Sequence, residues 1–418
     1  VLSSGVLIAQ LASFALTPVI TRMYLPDTFG LMAFFLSIAS PLTNISSFKY
    51  DQAILVADSE ATVLRLSALA WRLNILFGLA CAAVLTICRL IWDSFLGDLG
   101  VWLYLLPIFV MLSGQIRIGN SRCIREKRYK TLSAANVCGG LVTPLGRIIC
   151  ALAGSASMAG FILSQLISNI VNALILQRWR SAKRRFAGNI SDLLDTARSH
   201  IDFPKYAMPN GLLFSLGNQM PVLMLGMLFE PEWVGYYALA NRLIHMPVDL
   251  ISQPIRQVFI QNIEEKVRRR EPIGGMVGKL CVALALPLIV PFVLIELYGA
   301  SIFGFVLGAR WQPAGVVAGI VFPWMFMMFL INPLSSLYIV FRKQADWLKV
   351  QLILNIGLIG IFLYGHRAGA TYHGLLWAIS ITNVIVYGFV LVHLLLLAQM
   401  YDRNTSLSAN EEKRYELI

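Results

Sequence analysis

Apolar runs of about twenty residues recur along this chain, separated by short polar breaks, a pattern too long and too unbroken for the helices of a water-soluble core. Six candidate spans come first: Leu2–Ile20, Leu31–Phe48, Leu66–Leu90, Val101–Gly119, Leu132–Leu152 and Ala156–Leu176. Six more follow: Tyr206–Phe229, Val234–Val258, Met276–Tyr298, Pro313–Val340, Leu348–Tyr364 and Gly374–Ala398. At ~1.5 Å of rise per residue each is long enough to cross ~30 Å of hydrocarbon. The expected fold is therefore an all-α integral membrane protein of about twelve transmembrane helices. Between the two sets lies the polar stretch Arg178–Lys205. It opens on a basic cluster, Arg178, Arg180, Lys183, Arg184 and Arg185, and then places Ile190, Leu193, Leu194, Ala197 and Ile201 on one helical face. That face predicts a short amphipathic helix lying on the membrane surface, with a plain solvated linker as the alternative. The resulting organisation is a first lobe over 1–177, a linker over 178–205, a second lobe over 206–398 and a tail over 399–418.

Composition agrees with this pattern. Hydrophobic residues make up 57% of the 418 and charged residues only 13%, about half the charge of an average soluble domain. The net charge of +12 does not point to nucleic acid, because the basic residues are gathered between spans rather than spread over one face. The opening VLSSGVLIAQ already lies in an apolar run, with neither a charged leading region nor a small-residue cleavage site, so no cleaved signal peptide is expected. The six cysteines, Cys81, Cys88, Cys123, Cys138, Cys150 and Cys281, form no C-x-x-C pair and suggest neither a metal nor a disulfide framework. The stretch Gly274-Gly275-Met276-Val277-Gly278-Lys279-Leu280 has the wrong glycine spacing for a phosphate-binding loop and no Ser or Thr after the lysine. No cofactor is expected.

The basic residues also set the orientation. With the N-terminus inside, only Arg22, Arg89, Arg310 and Arg367 of the 34 Lys and Arg fall on outer loops, and Arg72, Arg147 and Arg242 fall within spans. The rest lie on the inner side, which predicts both termini in the cytoplasm. The outer loops are short throughout, leaving no external domain to carry an active site. That favours transport over catalysis.

A repeat runs through the two halves at an offset of about 205 residues. Pro26-Asp27-Thr28-Phe29-Gly30 is matched by Pro231-Glu232-Trp233-Val234-Gly235, each reading Pro-acid-x-apolar-Gly at the outer start of a span. Ser37, Ser40, Asn44 and Ser47 share one helical face of the second span, and the same offset lands on Arg242, His245, Asp249 and Ser252 in the eighth. Asn218 of the seventh span, with Ser215, answers Ser13 and Gln10 of the first. Two six-helix bundles in the same orientation follow, parallel repeats about an axis normal to the membrane. Their polar faces are expected to line a shared aqueous cavity, with helix–helix glue as the alternative for the neutral residues.

A charge near the bilayer centre costs roughly 2.5–3.5 kcal/mol on insertion scales, so each needs a reason. Arg242 lies about eight residues from the outer end of its span, beyond comfortable snorkelling, with His245 and Asp249 on its face. A cavity residue or a buried ion pair with Asp249 are the two readings. Arg147 is near enough to the outer end of the fifth span to snorkel, and Arg72 near enough to the inner end of the third to sit at the interface. The candidate cavity set is Arg242, Arg147, Arg72, His245, Asn218 and Asn44. Asp249 is the candidate for coupling to a proton or Na⁺.

TPVITRMYLPDTFGLMAFFLSI followed by FKYDQAILVAD resembles the opening of the polysaccharide transporter (Wzx-type flippase) family. FPKYAMPNGLLFSLGNQMPVLMLGMLF with VGYYALANRLIHMPVDLISQPIRQVF, and FGFVLGARWQPAGVVAGIVFPWMF, are similar to later helices of the same family. That family belongs to the multidrug/oligosaccharidyl-lipid/polysaccharide exporter superfamily. The resemblance implies two pseudo-symmetric six-helix lobes of MATE-like fold and alternating access. It also implies transfer of undecaprenyl-diphosphate-linked oligosaccharides across the bacterial inner membrane for surface polysaccharide. The implied partners are the lipid-linked oligosaccharide, membrane lipids, and a polysaccharide polymerase and chain-length regulator, with the transporter itself a monomer. A multidrug exporter of the same superfamily and a membrane-embedded enzyme of glycan assembly are the competing functions. Where the family pattern has Arg-Tyr-Glu after the second span, this chain has Lys49-Tyr50-Asp51. The charges are kept, but a guanidinium fork becomes a point charge.

Overall fold

The computed structural model describes residues 2–91, 97–177 and 190–416, and among these residues the regular structure is entirely helical. In order the helices are α1 (Leu2–Met23), α2 (Pro26–Ile45), α3 (Tyr50–Val56), α4 (Glu60–Ile91), α5 (Leu106–Arg125), α6 (Tyr129–Leu152), α7 (Met158–Gln177) and α8 (Ile190–Ser199). Then come α9 (Met208–Leu228), α10 (Pro231–Arg268), α11 (Gly274–Leu307), α12 (Gln312–Leu334), α13 (Ser336–Val340), α14 (Gln344–Ala368) and α15 (Tyr372–Glu416). A 3₁₀ segment, Gly97–Leu105, leads into α5, and a π-helical turn, Phe203–Ala207, leads into α9. The fold is the expected all-α membrane architecture. Among the described residues ten segments are long and apolar enough to cross a bilayer. The other two expected spans are the helices α1 and α10.

Most helices outrun the spans expected of them. α10 has 38 residues and α11 has 34, longer at ~1.5 Å per residue than the hydrocarbon needs. α4 starts at Glu60 rather than Leu66, and α15 runs on through the expected tail to Glu416. Apolar periodicity marks where lipid is met, not where hydrogen bonding stops. α2 does the reverse. It ends at Ile45, and the chain turns through Phe48 and Lys49 in left-handed conformation before α3 begins. The basic cluster Arg178–Arg185 lies outside the described residues.

The chain divides into two compact units, Val1–Gly235 and Tyr236–Ile418. In the first, α6 packs between α1 and α7, α5 packs on α4 and α7, and α9 lies along α2. α8 turns Leu193 and Ala197 towards the protein. Leu193 is buried, Ala197 packs on the cluster around Tyr50, Ala53 and Leu66, and its carbonyl accepts a hydrogen bond from Tyr50 Oη at 3.1 Å. Leu194 and Ile201 stay exposed.

In the second unit α12 packs against α11 and α15. Phe259, Ile263, Leu334, Leu337, Tyr338 and Leu394 belong to one buried cluster, which joins α10, α12, α13 and α15. The start of α11 is capped from far along the chain: Asp402 of α15 accepts the backbone N–H of Ile273 on Oδ1 at 2.6 Å and that of Gly274 on Oδ2 at 2.8 Å. A carboxylate there satisfies amides that the helix itself leaves open and meets the positive end of its dipole. Large apolar side chains such as Leu79, Val290, Ile356, Phe305 and Phe389 point outward, as lipid-facing helices require.

Candidate functional site

The two Pro-acid-x-apolar-Gly turns meet within the first unit. A Cβ on Gly30 would run into the carbonyl oxygen of Pro231, and a Cβ on Gly235 would run into that of Pro26. The contact is reciprocal, each glycine receiving the other turn's proline carbonyl. Only a residue without a side chain lets the two backbones approach this closely. Each proline sits at the first position of its helix, α2 or α10, where its missing N–H is not needed. Asp27 Oδ1 accepts the Thr28 amide at 2.5 Å, adding a negative charge at the positive end of α2.

Down α2 the polar stripe splits into different uses. Ser37 is buried and donates to the Phe34 carbonyl at 2.7 Å, a local back-bond. Asn44 spans to α9, donating from Nδ2 to the Gly211 carbonyl at 2.6 Å and accepting Lys49 Nζ on Oδ1 at 2.5 Å. Ser47 donates to Asp51 Oδ1 at 2.6 Å, and Arg117 of α5 reaches Asp51 Oδ2 at 3.3 Å. Lys49 is 3% exposed and Asp51 2%, whereas the Arg117 side chain keeps 35% of its surface. Two cations thus surround one carboxylate at the end of α2. Burial pushes the Lys49 ammonium below the ordinary lysine range, and Arg117 pushes it the same way, while Asp51 opposes both. Nearby, Arg125 donates to the Ala57 carbonyl at 2.6 Å, tying the end of α5 to the end of α3.

Arg147 is a buried residue of the first unit, 6% exposed. Its guanidinium carbon lies 4.0 Å above the Phe161 ring, Nη2 reaches Gln165 Oε1 at 3.5 Å, and its carbonyl accepts Tyr24 Oη at 2.8 Å. Cation–π stacking and an amide dipole hold the charge there. From Gln165 the contacts continue: Nε2 to Asn169 Oδ1 at 3.4 Å, then Asn169 Nδ2 to Ser113 Oγ at 3.2 Å. Ser168 donates to the Gly139 carbonyl at 3.0 Å. These residues form a polar face of α7, Gln165, Ser168, Asn169 and Asn172, that the sequence reading missed. The spacing i, i+3, i+4, i+7 was the available signal.

The remaining candidates fall apart from these groups. Arg72 is exposed on α4, and Asn218 is exposed on α9. In the second unit Arg242 is exposed and His245, nearly one turn further along α10, is half-buried. The side chain of Asp249 lies outside the described ones. Ser252, the last of that stripe, is fully buried. The structure therefore brings Asn44 together with Lys49, Asp51 and Arg117, and places Arg147 in a separate polar network. Among the described residues no cluster of His, Cys, Asp or Glu is suited to a metal ion.

The fold is shared with known transporters. The inward-closed lipid II flippase MurJ superposes with a TM-score of 0.72 over 97% of this chain and 90% of its own, at 11% identity. An inward-facing multidrug resistance MATE family transporter of the MOP superfamily matches at 0.64, over 97% and 94%, at 14% identity. The MATE multidrug transporter DinF-BH, in a ligand complex, matches at 0.59, over 97% and 96%, at 16% identity. No curated protein sequence is significantly similar. Residues 19–318 match a sequence family described as polysaccharide biosynthesis protein, which spans most of the chain. An all-α membrane chain whose sequence and fold agree in this way belongs to the polysaccharide biosynthesis protein family.

Proposed function

We propose that this protein is a flippase that moves undecaprenyl-diphosphate-linked oligosaccharide units across the bacterial inner membrane by alternating access, for O-antigen, exopolysaccharide or capsule assembly. Both termini and the linker 178–205 lie in the cytoplasm, and the two lobes comprise six spans each. The observation that carries the reading is the reciprocal seating of Gly30 on Pro231 and Gly235 on Pro26. Two equivalent turns, one per repeat, are built to touch backbone to backbone without any side chain between them. A contact made only of backbone surfaces forms and parts as a unit, which is what one of two alternating mouths requires. Family membership supports the glycan pathway, and the exposed Arg242 guanidinium on α10 supports an anionic headgroup. Arg242 is the proposed ligand of the diphosphate, because a guanidinium offers paired, charge-assisted hydrogen bonds to phosphate oxygens. Asp249 is the proposed coupling carboxylate. A polymerase and a chain-length regulator are the proposed partners on the outer side.

Flux measured in proteoliposomes tests the reading. A diphosphate-lipid-linked sugar should cross faster than in protein-free vesicles, and a cationic dye should not. Dye movement without sugar movement would make the protein a multidrug exporter instead.

A further inference from the structure

The Lys49 ammonium lies where α2, α3 and α9 converge, and it is outside the proposed ligand set. Its side chain is buried, its Nζ is held by Asn44 Oδ1 at 2.5 Å, and the other end of the Asn44 amide holds the Gly211 carbonyl at 2.6 Å. Gly211 completes the junction from the far side. A Cβ there would lie 2.5 Å from Lys49 Cε and 2.7 Å from Nζ, so the lysine stem runs directly over the glycine. The chain accepts a cost to reach this arrangement. Phe48 and Lys49 are both left-handed, with φ of 52° and 62°, a conformation that non-glycine residues adopt rarely and only where the surrounding structure holds it. That turn is what sends Lys49 back towards α9 instead of out towards water.

The segment it holds is a weak one. α9 is preceded by the π-helical turn Phe203–Ala207 with Pro204 in its first turn, and Pro209 follows at the start of the helix. π-turns and prolines both loosen the i to i−4 ladder, and helices bend at such places. An entrance turn with poor internal bonding is positioned by what it is tied to. Phe203 of this turn packs on the cluster around Tyr50, Ala53 and Leu66, and the polar tie just beyond it is one amide bridged by one lysine.

We propose that Lys49, Asn44 and Gly211 form a latch that fixes the entrance of α9 to the end of α2. Lys49 holds the Asn44 amide in the one orientation that offers Nδ2 to the Gly211 carbonyl. Without the ammonium, Asn44 is free to rotate and the carbonyl of Gly211 loses its donor. Asp51 and Arg117 set the strength of the latch from behind. Arg117 pulls Asp51 towards α5 and leaves Lys49 to Asn44 instead of a full ion pair. The latch stands on its own geometry. Only its use, letting α9 swing during the transport cycle, rests on the alternating-access reading.

Hydrogen–deuterium exchange on the purified full-length protein in lipid nanodiscs tests the latch without reference to transport. Lys49→Met should raise exchange over residues 203–213 about tenfold, an opening of the entrance turn alone, while peptides from α6, α7 and α12 keep the wild-type rate. Gly211→Ala should do the same from the other side, because its new Cβ displaces the flexible end of Lys49 and leaves every charge in place. Asn44→Asp should also raise exchange, since it keeps a partner for Lys49 but loses the donor to Gly211. Lys49→Arg should stay within about threefold of wild type. If Lys49→Met folds poorly, Gly211→Ala alone decides. Wild-type exchange over 203–213 in Gly211→Ala would overturn the latch, as would a rise spread evenly along the chain. Loose α9 with undiminished sugar flux would leave the latch standing and count against its use in transport.

Discussion

The polar stripes of α2 and α10 occupy the same register of two repeated halves, yet the protein uses them differently. On α2 the stripe is consumed within the first unit: Ser37 bonds back to Phe34, Asn44 bridges to Gly211, and Ser47 supports Asp51. On α10 the same positions carry Arg242 and His245, with Arg242 exposed. The repeat thus puts polarity at the same positions of both helices; on α2 it is taken up by hydrogen bonds within the first unit, and on α10 it includes an exposed guanidinium. The turns at the start of the same two helices went the other way. There the halves stayed alike because each glycine must receive the other's proline.

The likeness of the turns is the easiest feature to break. Gly30→Ala or Gly235→Ala places a methyl group inside a backbone carbonyl, and no side chain is present to move aside. Export should fall by tenfold or more with protein levels kept. A disulfide between Asp27→Cys and Glu232→Cys, formed readily in an otherwise wild-type chain, should form poorly in either alanine variant. That disulfide, once formed, should itself stop export; export that continues would argue against parting of these turns.

The scaffold role of the α2 stripe predicts smaller effects on stability. Asp51→Ala strands Ser47 and Arg117 and should destabilise by about 2–3 kcal/mol, less than the ~3–5 of a fully buried pair because Arg117 keeps a third of its surface in contact with solvent. Thermal unfolding in a mild detergent measures this, and Asp51→Asn should recover about half. Ser37→Ala should cost under about 1 kcal/mol, since the Phe34 carbonyl it leaves is already bonded within the helix.

Lys49 adds a smaller, pH-dependent effect. Burial lowers its folded pKa below the unfolded value, so the unfolded chain binds the proton more tightly than the native one. Stability should therefore rise with pH across the window between the lowered folded value and about 10.4, the ordinary lysine value. That rise should be absent in Lys49→Met; an identical rise in both proteins would mean that other groups carry it.

The spans and the paired turns were legible because they rest on local rules: ~20 apolar residues for a crossing, and proline then glycine at fixed spacing for a turn. The role of each polar residue was not. The i, i+3, i+7 pattern of α2 reads the same whether a serine bonds back to its own helix or faces water, and only the neighbouring helix decides. Arg147, read as a cavity or snorkelling residue, stacks on Phe161, which lies on the next helix. The α7 face escaped notice because it carries amides and hydroxyls rather than charge. Asp402 capping α11 is beyond any local rule, the partners standing 129 positions apart in the chain. The end of α2 was placed at Phe48 because the apolar run continues, whereas the left-handed turn at Phe48 and Lys49 obeys the packing of Lys49 and not hydropathy.

The central claim, that the α10 stripe binds the anionic substrate while the α2 stripe holds the scaffold, is tested most directly by sugar export and protein level in four Arg242 variants. Arg242→Ala should lose nearly all export at a normal protein level, Arg242→Lys should keep part of it, and Arg242→Glu should fall below alanine through repulsion. The fourth, Arg242→Ala combined with Asp249→Ala, should remain inactive. Should that double variant instead regain both folding and export, Arg242 serves only as the partner of a buried carboxylate, whose stranding costs about 3–5 kcal/mol, and the claim fails.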